Sequence, residues 1–117
     1  MISSISRPVS ALRAYQQKME VTADNIANVS TERFKKSSAT AIEGSNGDVQ
    51  LNIKPVNTEG YRYHEFEGDK MVEKEGSNVD LGEEIPEMMI TQRVYEANLK
   101  TLQTHDRMLG SLLDIIS

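Results

Sequence analysis

LGEEIPEMMITQRVYEANLKTLQTHDRMLGSLLDII, residues 81–116, decides how the rest of the chain is read. Leu81, Ile85, Met88, Gln92, Tyr95, Leu99, Leu102, Asp106, Leu109, Leu113 and Ile116 recur at alternating steps of four and three. Nine of these eleven positions are apolar, Gln92 and Asp106 being the exceptions. A 3.5-residue repeat sustained over such a length puts its members on one helical face and is the pattern of a coiled-coil seam. Asp80 and Glu83 have the spacing of an N-terminal capping box, and Pro86 falls close enough to the first turn to be tolerated there. The spacing predicts a helix from about Glu83 to Ile116. At 1.5 Å per residue that helix is roughly 50 Å long, more than the diameter of so small a domain. It should protrude.

A second stripe opens the chain. Ile2, Ile5, Val9, Leu12, Gln16, Met19, Ala23 and Ile26 share the three-and-four spacing, with Gln16 as the clearly polar member. Ser6-Arg7-Pro8 reads as a start and Asn28 as a stop, so a helix is expected from about Arg7 to Asn28, with residues 1–6 either extending it or left disordered. Asparagine is a weak helix former that prefers caps and turns, which makes Asn25 and Asn28 candidates for bonding backbone or neighbouring helices where the helix ends. Phe34 is expected to pack as the chain turns back, with Lys35 and Lys36 left at the surface.

Between the helices the texture changes to period two. DVQLNIKPV alternates Val49, Leu51 and Ile53 with polar residues, as a half-buried strand does, and Pro55 ends it or marks an edge. NTEGYRYHEF and KMVEK read as a second and a third short strand, flanked by the flexible stretches EGSNGD and KEGSNVD. The predicted fold is therefore mainly α with a small β element. Two long terminal helices form a coiled-coil-like pair, and a short antiparallel hairpin or three-stranded element lies between them. Within one domain this gives a helical segment at 1–40, a β element at 41–78 and the long heptad helix at 79–117.

Composition narrows the function. At 117 residues, 38% hydrophobic and 5% aromatic, the chain has little apolar material with which to offset the entropy of folding. Either the core is small or other subunits bury part of the surface. A net charge of −5 opposes nucleic-acid binding, which depends on basic patches. No run of 18 apolar residues occurs, so no membrane insertion is expected. MISSISRPVSALRAY lacks the charged leader and apolar core of a secretory signal, so any export is expected to proceed without a cleaved leader. Cysteine is absent, which removes disulfides and thiolate metal or redox sites. Charge is uneven: residues 1–40 carry six basic and three acidic groups, whereas residues 65–87 carry nine acidic and two basic. Beyond ordinary solvated surface, that asymmetry fits subunits whose basic and acidic ends meet.

Catalytic chemistry has little to stand on. His64 and His105 are the two histidines, one in a strand-like stretch and one on a helix, and no G-x-S-x-G, H-E-x-x-H or phosphate-binding glycine loop occurs. The Glu83, Glu84 and Glu87 cluster lacks the Glu-x-x-His pairing of a di-iron bundle, and first-turn acids suit the helix dipole without a metal. Met88, Met89 and Met108 could make an adaptable binding surface, but on a heptad helix packing explains them more simply. No enzyme, cofactor or metal is expected. Gln92 and Asp106 at seam positions could fix register and partner choice.

Taken together, the two ends resemble the flagellar basal-body rod and hook proteins. ALRAYQQKMEVTADNIANVSTERFKKS, residues 11–37, is similar to that family's N-terminal signature, a helix leading into Asn-Ile-Ala-Asn. EGSNVDLGEEIPEMMITQRVYEANLKTLQTHDRMLGSLLDII, residues 75–116, is similar to its C-terminal signature of Ser-Asn-Val-Asp, an acidic helix start, Gln-Arg, an aromatic and Ala-Asn. The family usually has glycine before the aromatic, where this chain has Arg33. The middle is short, as in the small proximal-rod type. The resemblance implies a structural subunit exported through the flagellar type III apparatus without a cleaved leader. It implies assembly with other rod and hook subunits and with itself, as a homo-oligomer, into the periplasm-spanning rod of the basal body. The assembly residues it implies are Leu12, Met19, Asn25, Ile26, Asn28 and Phe34 near the first end, and Leu81, Ile85, Met88, Gln92, Tyr95, Asn98, Leu99, Leu102, Leu109, Leu113 and Ile116 near the second. The alternative, resting on acidity, small size and an exposed seam, is a soluble coiled-coil adaptor or export chaperone that holds an amphipathic partner helix.

Overall fold

The computed structural model describes the backbone of residues 2–116 and the side chains of residues 5–116. Helix α1 spans Ile2–Ala27, and helix α2 spans Leu81–Ile116. Between them lie strands β1 (Ser37–Glu43), β2 (Val49–Pro55), β3 (Arg62–Glu67) and β4 (Lys70–Glu75). Two terminal helices around a small β element are the expected class. The β element is the fuller one: two separate antiparallel hairpins, β1–β2 and β3–β4. The strand missing from the sequence reading is β1, SSATAIE, whose serines and alanines carry no strong strand signal.

Helix α1 does not wait for Pro8 to begin. It already runs from Ile2, with Pro8 inside and buried. Met1, Ser117 and the side chain of Ile2 fall outside the described residues. At its other end Asn28 stops the helix: its N–H reaches the carbonyls of Asp24 and Asn25, and its side-chain amide donates to the Asp24 carbonyl at 2.8 Å. Helix α2 starts at a true N-cap, since Asp80 Oδ1 accepts the Gly82 N–H at 2.9 Å. The Glu83 half of the expected capping box turns instead to Lys36 Nζ, 3.4 Å away.

The helices run antiparallel. Asn25 meets Glu84 at one end of the pair, and Ile5 shares a hollow with Leu102, His105 and Leu109 at the other. Hairpin β1–β2 lies on a second face of α1, where Ser10 Oγ accepts the Val49 N–H at 3.0 Å. Among the described residues, hairpin β3–β4 packs against no other helix or strand. It is held from its base, through Glu75, Gly76 and Asn78.

What lies inside is small and polar. Among the described residues, Pro8, Ala11 and Ala14 are buried, with Thr22, Asn25, Ser77, Glu84 and Thr91 as the buried polar ones. The shape follows from this: extents of 82 × 25 × 18 Å and a radius of gyration of 20.9 Å. A compact chain of this length would have a radius near 13 Å. Its 8365 Å² of accessible surface exceeds the roughly 6,400 Å² of a compact 13.1 kDa monomer.

Candidate functional site

The chemistry of this chain lies in how its two signature ends are tied together. Asn25, on the last turn of α1, is 2% exposed. Its Oδ1 accepts the Ser37 N–H at 3.0 Å, and its Nδ2 donates to the Ser37 carbonyl at 2.8 Å. The side-chain amide thus pairs with the outer edge of β1 as a neighbouring strand would. The same Nδ2 lies 3.4 Å from Glu84 Oε2 on α2, so one side chain joins three elements.

Asn78, just before α2, makes the matching clamp on the other side. Its Oδ1 accepts the Lys36 N–H at 2.7 Å, and its Nδ2 donates to the Val56 carbonyl at 2.8 Å. It therefore closes the end of the β1–β2 ladder, where Val56 N–H still reaches the Lys36 carbonyl. Ser77 beside it is buried, its Oγ accepting the Val79 N–H at 3.1 Å.

Charge completes the tie. Lys36 Nζ lies 3.0 Å from Glu84 Oε1, and Glu84 is 6% exposed. A carboxylate this buried needs its partner, because an unpaired charge out of water is costly. The hydrogen bond that Lys36 donates to Glu84 raises its pKa above the usual lysine range, with Glu83 adding to the effect. Lys35 Nζ meets Glu75 Oε1 at 2.6 Å, and the Gly60 N–H donates to the same oxygen at 3.0 Å. The Lys35 bond, then the Gly60 bond, hold the Glu75 carboxyl below its usual pKa. The two lysines are therefore not surface residues left to solvent, as the sequence reading had them. They are half-buried and paired, because the turn after α1 aims them at acids 40 and 48 positions away.

Arg33 explains how the turn is made. Its φ is 59°, the left-handed region that favours glycine, and its N–H donates to the Glu75 carbonyl at 3.1 Å. Phe34 follows, half-buried, and its carbonyl accepts the Asn78 N–H.

Along the helix pair, the buried face is offset from the apolar stripes. On α2, Glu84 and Thr91 are buried and Asn98 and His105 are half-buried, at seven-residue intervals. Met88, Tyr95, Leu102 and Leu109 flank that row and are half-buried as well. Leu81, Ile85, Gln92, Leu99, Leu113 and Ile116 lie outside the pair and are exposed. On α1, Leu12, Met19 and Ile26 are half-buried, while the innermost positions fall one residue earlier, at Ala11, Thr22 and Asn25. The structure therefore brings Asn25, Phe34, Met88, Tyr95, Asn98, Leu102 and Leu109 into the body and turns the remainder of the long stripe to solvent. Sequence reasoning passed over Lys36, Ser37, Asn78 and Glu84 as partners. The one available signal was that asparagine recurs at the end of α1 and just before α2.

Two family models match the ends that this clamp joins. One described as flagella basal body rod protein covers residues 8–35, and one described as flagellar basal body rod FlgEFG protein C-terminal covers residues 71–115. The chain belongs to the flagellar rod and hook protein family. This rod/hook chain is 42% identical over 41 residues to the flagellar hook protein FlgE of Escherichia coli strain K12, a match over 35% of the chain and 10% of that protein. It is 46% identical over 41 residues to FlgE of Treponema pallidum, over 35% of the chain and 9% of that protein. It is 53% identical over 36 residues to the flagellar basal-body rod protein FlgG of Borreliella burgdorferi, over 31% of the chain and 14% of that protein. The rod/hook chain thus spans about a tenth of the length of the curated relatives it matches.

Among the described residues no cluster of three metal-ligating side chains occurs, and no helix is long and apolar enough to cross a membrane. The clamp residues are hydrogen-bonded and ion-paired to one another. That arrangement positions two helices and a hairpin.

Proposed function

We propose that this chain is a structural subunit of the flagellar basal-body rod, assembling through its terminal helices with copies of itself and with other axial subunits. The observation that carries the reading is the apolar surface α2 keeps outside its pairing with α1. Ile85 is 47% exposed, Met89 62%, Leu113 65% and Ile116 80%. Patches of large apolar side chains on a soluble chain mark surfaces that bind other proteins. With the family assignment, the most economical occupants are other axial subunits, in head-to-tail contacts that extend rather than close.

In this reading Leu81, Ile85, Gln92, Leu99, Leu113 and Ile116 contact neighbours, while Asn25, Asn28 and Phe34 hold the subunit in the shape that presents them. The subunit leaves the cell body through the flagellar type III export apparatus and ends in the rod.

The test is fractionation and complementation. A tagged chain should co-purify with basal bodies, whereas an export chaperone should stay in the cytoplasmic fraction. A chain lacking residues 111–117 should fold yet fail to restore flagellation to a strain without the gene. Restoration by the truncated chain would sink the proposal.

A further inference from the structure

The β3–β4 hairpin is an arm with an apolar end. Phe66 and Met71 are directly opposed across its strands and are 67% and 59% exposed. Among the described residues the arm packs on no other helix or strand, which leaves both side chains open to solvent. Beyond them, at the turn, stand Asp69 and Lys70, neither with an ion pair among the described residues. Glu65 and Glu67 share one cation, Lys74, at 3.1 Å each.

Elsewhere on the molecule is a hollow of about 650 Å³ between α1, the end of β1 and α2. Its floor is small and apolar: Pro8, Ala11 and Ala41. At its rim stand Arg7 and Glu43, again without an ion pair among the described residues, the Arg7 guanidinium lying over Gly47.

We infer that the arm of one copy docks in the hollow of the next, Phe66 and Met71 entering over Pro8, Ala11 and Ala41. Asp69 then faces Arg7 and Lys70 faces Glu43. A second copy is the occupant because the two surfaces match twice, apolar residues against an apolar floor and an acid–base pair of each polarity. Rim charges of this kind select partner and register. The contact uses two different patches, so it propagates from copy to copy. This inference rests on the axial-subunit reading and adds a contact away from the helix seam.

The chain lacks cysteine, so engineered pairs report cleanly. Lys70→Cys in one copy and Glu43→Cys, its proposed counterpart at the rim of the hollow, in a differently tagged copy should give a mixed disulfide on oxidation. It should form in concentrated purified protein and in basal bodies from cells expressing both. Arg7→Glu should lower the mixed product about fivefold, the scale of one rim charge pair, and Asp69→Arg in the partner copy should restore it. Phe66→Ser with Met71→Ser should abolish it while circular dichroism stays unchanged. Basal bodies that contain both tagged chains and no mixed disulfide would overturn the inference and leave the axial reading intact. A mixed disulfide in purified protein, with the chain absent from basal bodies, would support the contact and overturn the axial reading. Same-variant dimers alone, in either setting, would also overturn the inference.

Discussion

Arg33 holds a backbone conformation that costs a side-chain-bearing residue about 1–2 kcal/mol relative to glycine. The position is worth this strain to the fold because its N–H reaches the Glu75 carbonyl and its neighbours carry Lys35 and Lys36 to their acids. Arg33→Gly should therefore stabilise the chain, by about 0.5–1 kcal/mol once the added freedom of the unfolded chain is subtracted. Urea unfolding measures it, and a lower midpoint would contradict the account. Asn25 is the opposite case. Asn25→Ala leaves the outward N–H and carbonyl of Ser37 without their partner and should cost about 2–3 kcal/mol. Asn28→Ala, removing a half-buried cap at the end of α1, should cost about 1 kcal/mol. Equal losses at the two positions would mean that Asn25 is merely another helix stop. The sequence made both asparagines visible as poor helix formers, but their different weights depend on burial, which no local pattern states.

Among the elements, the β3–β4 hairpin is the one whose placement should respond to pH. Glu75 fixes its base, and its carboxyl is held below the usual range by Lys35 and Gly60. A depressed carboxyl contributes its stabilisation above the unfolded value and loses it as pH falls through the folded one. Below about pH 4, the ordinary carboxylate range, amide exchange at the hairpin base should quicken before exchange in α1 does. Simultaneous loss in both would show that the arm has no separate attachment. Lys36 behaves inversely: its raised pKa places its contribution below the usual lysine value, to be lost only as pH rises beyond that. Helix placement was legible from periodicity. Strand β1 was not, because its serines and alanines carry no strong strand preference and are held there by pairing with β2. The orientation of the helix pair was not legible either. Small residues at Ala11 and Ala14 let α1 be approached closely, so the buried face is set one residue away from the bulkier stripe.

The whole molecule is long, thin and thinly filled. Its apolar material is spent on a surface rather than on a core: Leu112, Leu113, Ile115 and Ile116 at the end of α2 are 48–81% exposed. Lysine at Leu113 or Ile116 should therefore change monomer stability by less than about 0.5 kcal/mol, while blocking entry into basal bodies. Leu102→Ala, in the seam with α1, should cost about 1–2 kcal/mol, the lower end for a half-buried leucine. Thermal melts of the purified variants separate the two classes. A large loss from Leu113→Lys would mean that the end of α2 already has a partner within the chain.

The sequence alone determined two long helices, a β element between them and membership in a family of axial proteins, because periodicity and end signatures are local properties of the chain. The tertiary structure decided which face of each helix is buried, that Asn25 and Asn78 clamp the hairpin from both sides, and that Lys36 is the partner of a buried Glu84. Those outcomes turn on hydrogen bonds between residues 12 to 59 positions apart. Their strength comes from exclusion of water at the junction of three elements, and that junction exists only once the chain has folded.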